Sequence, residues 1–207
     1  MNEWLSGFDY RKRIVIDNTY VDSNLSNFPV YVKIHQDTDI GSNAQSDGDD
    51  IRFTSGTGML LPHEEETFSV RSGSGSGNFW VKVPTIKSST GTVIYLYYGN
   101  GSATDGQNVS NVWDANFRGV WHLSGSTLHT TDSTSNKNVG TNNNGVAATT
   151  GKADGGGAFN GSNTNIYVTP DSSLNFSTIL TVSTWVYITN ESVPYQAAVT
   201  QRVDCGG

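Results

Sequence analysis

The sequence predicts an all-β protein. Three observations carry that reading. Apolar and polar residues alternate with a period of two in several short runs, the pattern of strands with one buried face. Only 15% of the 207 residues are charged, too few for coiled coils or long solvated helices. The chain holds 23 glycines and is rich in Asn, Ser and Thr, which supply the turns that many short strands need.

The elements follow in order. Arg13–Ile16 is short and β-branched. Phe28, Val30, Val32 and Ile34 alternate with Pro29, Tyr31 and Lys33, and Pro29 marks an edge position because proline gives no ladder donor. Ile51-Arg52-Phe53 follows the acidic turn 46–50, and SGTG (55–58) is a further turn. The run SGSGSG (72–77) reads as a flexible loop tip, with an inter-domain linker as its rival. Phe79, Val81 and Val83 alternate with Trp80 and Lys82 until Pro84.

The stretch TVIYLYYGN, 92–100, is the most demanding. Ile94, Leu96 and Tyr98 line one face and Val93, Tyr95 and Tyr97 the other, so both faces need a cover. Strand signals then stop. Residues 106–112 read as a linker between a domain at 1–105 and a second at 113–207. In the second, Val120–Leu123 and Ala158-Phe159 read as strand pieces flanking a polar tract, 124–157. Ile166-Tyr167-Val168 and Leu180–Ile188 read as strands, and no segment reads as a helix.

Charge and cysteine exclude several classes. Net charge is −7, with no basic run beyond Arg11-Lys12-Arg13, so a nucleic-acid partner is not expected. The single cysteine, Cys205, excludes an intrachain disulfide and a Cys-rich zinc site. No apolar run approaches the ~18 residues of a membrane span. MNEWLSGFDYRKR holds no apolar core of signal-peptide length.

Six motifs in order carry a family resemblance. They are Trp4 with Gly7-Phe8-Asp9-Tyr10-Arg11-Lys12; Asn27-Phe28-Pro29-Val30; Asp47-Gly48-Asp49-Asp50-Ile51-Arg52-Phe53; Leu61-Pro62-His63-Glu64; Phe79-Trp80-Val81-Lys82-Val83-Pro84; and Tyr97-Tyr98-Gly99-Asn100. Over about 3–105 the chain resembles a domain of unknown function of bacterial and archaeal surface proteins, with relatives in some phage proteins. Val120-Trp121-His122-Leu123, Asp132-Ser133, Gly156, Ala158-Phe159-Asn160-Gly161 and Leu180–Val186 resemble the start of a laminin-G-like, concanavalin-A-like jelly roll. The resemblance implies a β-sandwich followed by a partial jelly-roll domain, the latter a binding module for glycans or proteins, often with calcium. A whole jelly roll needs about 150 residues, and only 19 follow Ile188. One strand at most, around Ala197–Val203, is expected there, so the chain is expected to be a fragment or to take strands from another molecule.

The candidate ligand-binding residues are Trp80, Tyr95, Tyr97 and Asn100. Sugars stack their C–H faces on flat rings, and polar side chains at the rim orient them. The competing reading is that these rings are packing: the Ile94 and Leu96 face is core, and the Tyr95 and Tyr97 face meets the second domain or a ligand. Asp47 and Asp49 in their Gly-containing turn, and Asp132, are the candidate calcium ligands, as hard oxygen donors in loops. The competing reading for Asp47, Asp49 and Asp50 is an Asp-rich turn with local side-chain to backbone bonds. Glu64 and Glu66 share a strand face about 6–7 Å apart at Cα, not far from retaining-glycosidase spacing. However, a laminarinase-type site needs Glu-x-Asp-x-x-Glu, and Thr67–Arg71 hold no acid. No catalytic residue is assigned.

The expected function is a non-catalytic binding or adhesion module of an extracellular or cell-surface protein, contacting glycan or another surface polymer. The alternative is a structural virion or filament subunit, such as a decoration or tail-fibre protein, contacting copies of itself. A fragment of a polysaccharide-degrading enzyme ranks third.

Overall fold

The computed structural model describes residues 4–177, 179–189, 192 and 197–200. Cys205 and the 201–203 end of the expected last strand lie outside the described residues. The chain forms two compact units. The first runs to Val120 and includes Ser133–Lys137; the second holds Trp121–Asp132 and the residues from Asn138 onward.

The first unit is a β-sandwich, as the alternation predicts. One sheet has four antiparallel strands in the order β1 (Tyr10–Ile16), β7 (Thr92–Tyr98), β3 (Arg52–Ser55), β4 (Leu60–Leu61). The other has three, in the order β2 (Leu25–Asp37), β6 (Ser74–Ile86), β5 (His63–Arg71). Pro29 lies on β2, an edge strand, where its missing N–H breaks no ladder. The inward residues of both sheets form one core: Val32, Ile34, Phe53, Phe79, Val81, Val83, Ile94, Leu96 and Tyr98 are all buried in it. Phe53 and Phe79 meet edge to face across it, with ring centroids 5.5 Å apart.

The Gly-Ser run is not a flexible tip. Ser72 and Gly73 alone make the turn, with φ of +50° and +74°, the signs a type I′ hairpin needs. Ser74 onward is β6, the central strand of its sheet. Small residues are needed there because a helix lies against the strand. This helix, α1 (Thr38–Asn43), is one the sequence reading missed; at six residues it is too short to show a helical period. A Cβ on Gly41 would stand 2.5 Å from the Gly73 carbonyl oxygen, and one on Gly75 would stand 2.7 Å from Ile40 Cγ2. Asp37 caps α1, its carboxylate accepting the N–H of Asp39 at 3.1 Å and of Ile40 at 3.0 Å.

The expected linker, 106–112, is packed into the first unit. The Asn108 N–H donates to the His63 carbonyl at 2.8 Å, and Gln107 Oε1 accepts the Glu65 N–H at 2.8 Å. A one-turn helix, α2 (Val109–Val112), then buries Val112 completely. Polarity in this stretch serves both solvent, where Gln107, Asn108, Ser110 and Asn111 are exposed, and hydrogen bonds to the edge of β5.

In the second unit the polar tract contains strands that no apolar alternation announced. β8 (Gly140–Asn143) pairs with β11 (Asn165–Val168), and β9 (Ala147–Thr150) pairs with β10 (Gly155–Ala158). Asn142 brackets Val146, donating to its carbonyl at 2.8 Å and accepting its N–H at 2.7 Å, and Val146 is buried. Residues 120–123 and 180–188 are not strands. For 180–188 the reason is pairing: no strand among the described residues forms a ladder with it, and Trp185 and Tyr187 are 79% and 90% exposed. Alternation without a partner does not make a sheet.

Candidate functional site

Trp80, Tyr95 and Tyr97 do not form one platform. Trp80 sits on β6 and points out of the three-stranded sheet, because its neighbours Phe79 and Val81 point into the core. Tyr95 and Tyr97 sit on β7 and point out of the other sheet, opposite Ile94 and Leu96. The rings therefore lie on opposite outer faces of the sandwich.

On the face bearing Tyr95 and Tyr97, the chain's own N-terminal segment covers Tyr97. Tyr97 is fully buried. Trp4 and Phe8 pack edge-on against it, at centroid distances of 5.6 Å and 6.2 Å. Arg11, directly opposite Tyr97 on β1, donates to its hydroxyl at 3.0 Å. Tyr97 thus has no ring face to offer a ligand. Tyr95 is half-buried, with the Arg11 guanidinium 4.4 Å from its ring centroid. Asn100 is a turn residue: its N–H donates to Asp50 at 3.0 Å and its side chain accepts the Ser102 N–H at 3.1 Å.

On the other outer face, a row of rings runs Tyr31, Trp80, Trp113, Phe117, with successive centroids 5.2, 5.4 and 5.1 Å apart. Cross-strand pairing makes the first contact, since Tyr31 lies opposite Trp80 in the β2–β6 ladder. Trp80 and Tyr31 are half-buried, and Trp113 is buried. Polar groups fix the row. Trp80 Nε1 donates to Glu66 at 3.0 Å. Tyr31 donates to Asn78 Oδ1 at 2.6 Å, and Asn78 donates to Thr67 at 2.8 Å. Glu64 is buried and accepts Trp113 Nε1 at 2.5 Å and Ser133 Oγ at 2.6 Å. Tyr31 was legible in the alternation, on the face of Pro29 and Lys33. Trp113 and Ser133 were not, because their approach to Glu64 is set by the path of the chain after β7.

The acidic residues divide as follows. Asp47 is exposed and accepts the Asp49 N–H in a local turn at 3.3 Å. Asp49 gives its carbonyl to Arg52 at 2.9 Å. Asp50 is fully buried and binds backbone N–H groups of Gln45, Gly99 and Asn100. Asp132 belongs to the second unit, where its buried carboxylate accepts the Asn138 N–H at 2.9 Å. Among the described residues, no three His, Cys, Asp or Glu side chains come together as a metal site. Two titrating groups lie side by side on β5. Burial, reinforced by the Arg52 charge, pushes the His63 imidazole down to about 4. Burial, with the charges of Asp105, Asp49 and Asp47, pushes Glu65 up to about 7.

A family model described as a domain of unknown function, DUF2341, matches residues 47–124. The match covers β3 to β7, α2 and Trp113, and ends close to the Val120 limit of the first unit's main segment. No curated protein matches the chain, and no solved structure matches it.

Proposed function

We propose that the chain is a non-catalytic binding or adhesion module of an extracellular or surface-displayed protein, and that it contacts glycan. The observation that carries this is the Tyr31–Trp80 pair: two half-buried rings on an outer sheet face, flanked by Glu66, Asn78 and Thr67. Rings held in place by the buried Asn78 and flanked by the Glu66 carboxylate and the Thr67 hydroxyl suit the C–H faces and hydroxyls of a sugar. The non-catalytic reading rests on the missing Glu-x-Asp-x-x-Glu pattern: no acid follows Glu66 through Arg71. The resemblance of the motifs between 120 and 186 to those of laminin-G-like modules favours a binding role. A glycan array on the purified chain tests it. Binding that Trp80→Ala removes, with the fold retained, is the expected result. A blank array, or binding of neutral glycans that is indifferent to Trp80→Ala, overturns it.

A second reading, a structural subunit that contacts copies of itself, is favoured by one observation. The apolar run 179–188 exposes Ile179, Trp185 and Tyr187. Concentration-dependent light scattering that the double variant Trp185→Ser, Tyr187→Ser abolishes would support it. A monomer at all concentrations would remove it.

A further inference from the structure

Three arginines share the outer face of the four-stranded sheet. Arg11 lies opposite Tyr97 and Arg13 opposite Tyr95 in the β1–β7 ladder, and Arg52 lies opposite Tyr97 in the β3–β7 ladder. Arg52 is engaged by the protein itself. Its guanidinium donates to the carbonyls of Asp49, Ile51 and Thr104 at 2.9, 2.8 and 2.5 Å.

Arg11 is different. Its guanidinium carbon lies 4.5 Å from the Trp4 ring centroid and 4.4 Å from that of Tyr95. Cation–π contact and the hydrogen bond to Tyr97 hold it in one orientation. That bond is its one hydrogen bond among the described residues, and no carboxylate among them pairs with it or with Arg13. Lys12 between them turns to the other face and pairs with Asp37 at 2.9 Å. Trp4 is itself pinned, its indole N–H donating to the Phe8 carbonyl at 2.5 Å, yet it remains 49% exposed.

We propose that this face binds an acidic polysaccharide through its carboxylates. A fixed, planar guanidinium with open N–H groups matches a carboxylate in a bidentate pair. The exposed ring of Trp4 offers a stacking surface for the sugar that bears it. Arg13, two residues along β1 and exposed, sits about 6–7 Å further on. That spacing takes a second carboxylate on the same chain rather than a single small acid. Charge complementarity selects the class. The protein carries −7 overall and repels polyanions generally, so attraction must come from a local cluster of positive charge that has no acidic partner among the described residues. The face shares no residue with the Tyr31–Trp80 surface and stands independently of it.

Titration of the full chain with polygalacturonate, its fully methyl-esterified form and neutral amylose tests the proposal. The free-acid polymer is expected to bind, and the ester and amylose at least ten-fold more weakly. Arg11→Gln should weaken polygalacturonate binding ten-fold or more, Arg11→Lys should not restore it, and raising salt should weaken it. Arg13→Gln, at an exposed position where folding is not at stake, should weaken it several-fold. Trp80→Ala should leave it unchanged. Equal binding of acid and ester, no binding of the acid, or indifference to Arg13→Gln in a folded protein would each overturn the assignment.

Discussion

Asp50 Oδ2 accepts the backbone N–H of Gly99 at 2.7 Å, tying the turn before β3 to the end of β7. The same atom accepts the Asn100 N–H at 3.0 Å, and Oδ1 accepts the Gln45 N–H at 2.9 Å. Three donors converge on one fully buried carboxylate. Asp50→Asn must turn an amide NH2 toward at least one of them. We expect it to lower stability by about 2–3 kcal/mol, the cost of losing hydrogen bonds to a charged group and stranding a buried donor. Urea unfolding of the variant measures this.

Tyr97 and Trp80 should separate cleanly. Tyr97 is fully buried beneath Trp4, Phe8 and Arg11, so Tyr97→Ala should cost about 3–5 kcal/mol, as large aromatic truncations do. Tyr97→Phe keeps the ring and loses only the acceptor for Arg11, for about 1 kcal/mol. Trp80→Ala, at a half-buried position, should cost less than Tyr97→Ala. Thermal melts of the three variants decide the order.

Gly41 lies inside α1, where propensity alone favours alanine by about 1 kcal/mol. Packing opposes it. The added methyl group would stand 2.5 Å from both the Gly73 carbonyl oxygen and Ser74 Cα, which are backbone and cannot swing aside. Gly41→Ala should therefore destabilise by about 1–3 kcal/mol. A melting temperature at or above the parent's would show that α1 does not press on the hairpin.

His63 and Glu65 should oppose each other in the pH dependence of stability. The His63 pKa falls from 6.5 unfolded to about 4 folded. Its contribution is therefore present above about 6.5 and is lost as pH falls toward 4, amounting to about 3 kcal/mol. The Glu65 pKa rises from 4.5 to about 7, so its contribution is present below 4.5 and lost as pH rises through 7. Between 4.5 and 6.5 the two slopes have opposite signs, and the parent should vary little. Glu65→Gln should gain stability steadily with rising pH across that window, and His63→Gln should lose it. Urea midpoints at three pH values within the window check both slopes.

Alternation alone was enough to place β2, the later part of β6 and β7, and to say which face of each is core. Ile94 and Leu96, Phe79 and Val81, Val32 and Ile34 all point inward as their alternation requires, and Pro29 sits on an edge. Alternation is a local, period-two signal, so it reads reliably wherever one face is buried. Which sheet each strand joins is set by long-range pairing. β6 and β7 are consecutive and similar in character, yet they lie in different sheets, and that alone puts Trp80 and Tyr95 on opposite sides of the molecule. The tertiary structure also decided that Gly75 belongs to a central strand, because α1 lies against it, and that 180–188 remains unpaired despite its pattern. The cover over Tyr97 and the three donors on Asp50 are likewise long-range. Each depends on segments tens of residues apart meeting, and neither segment carries a sign of its partner in its own residues.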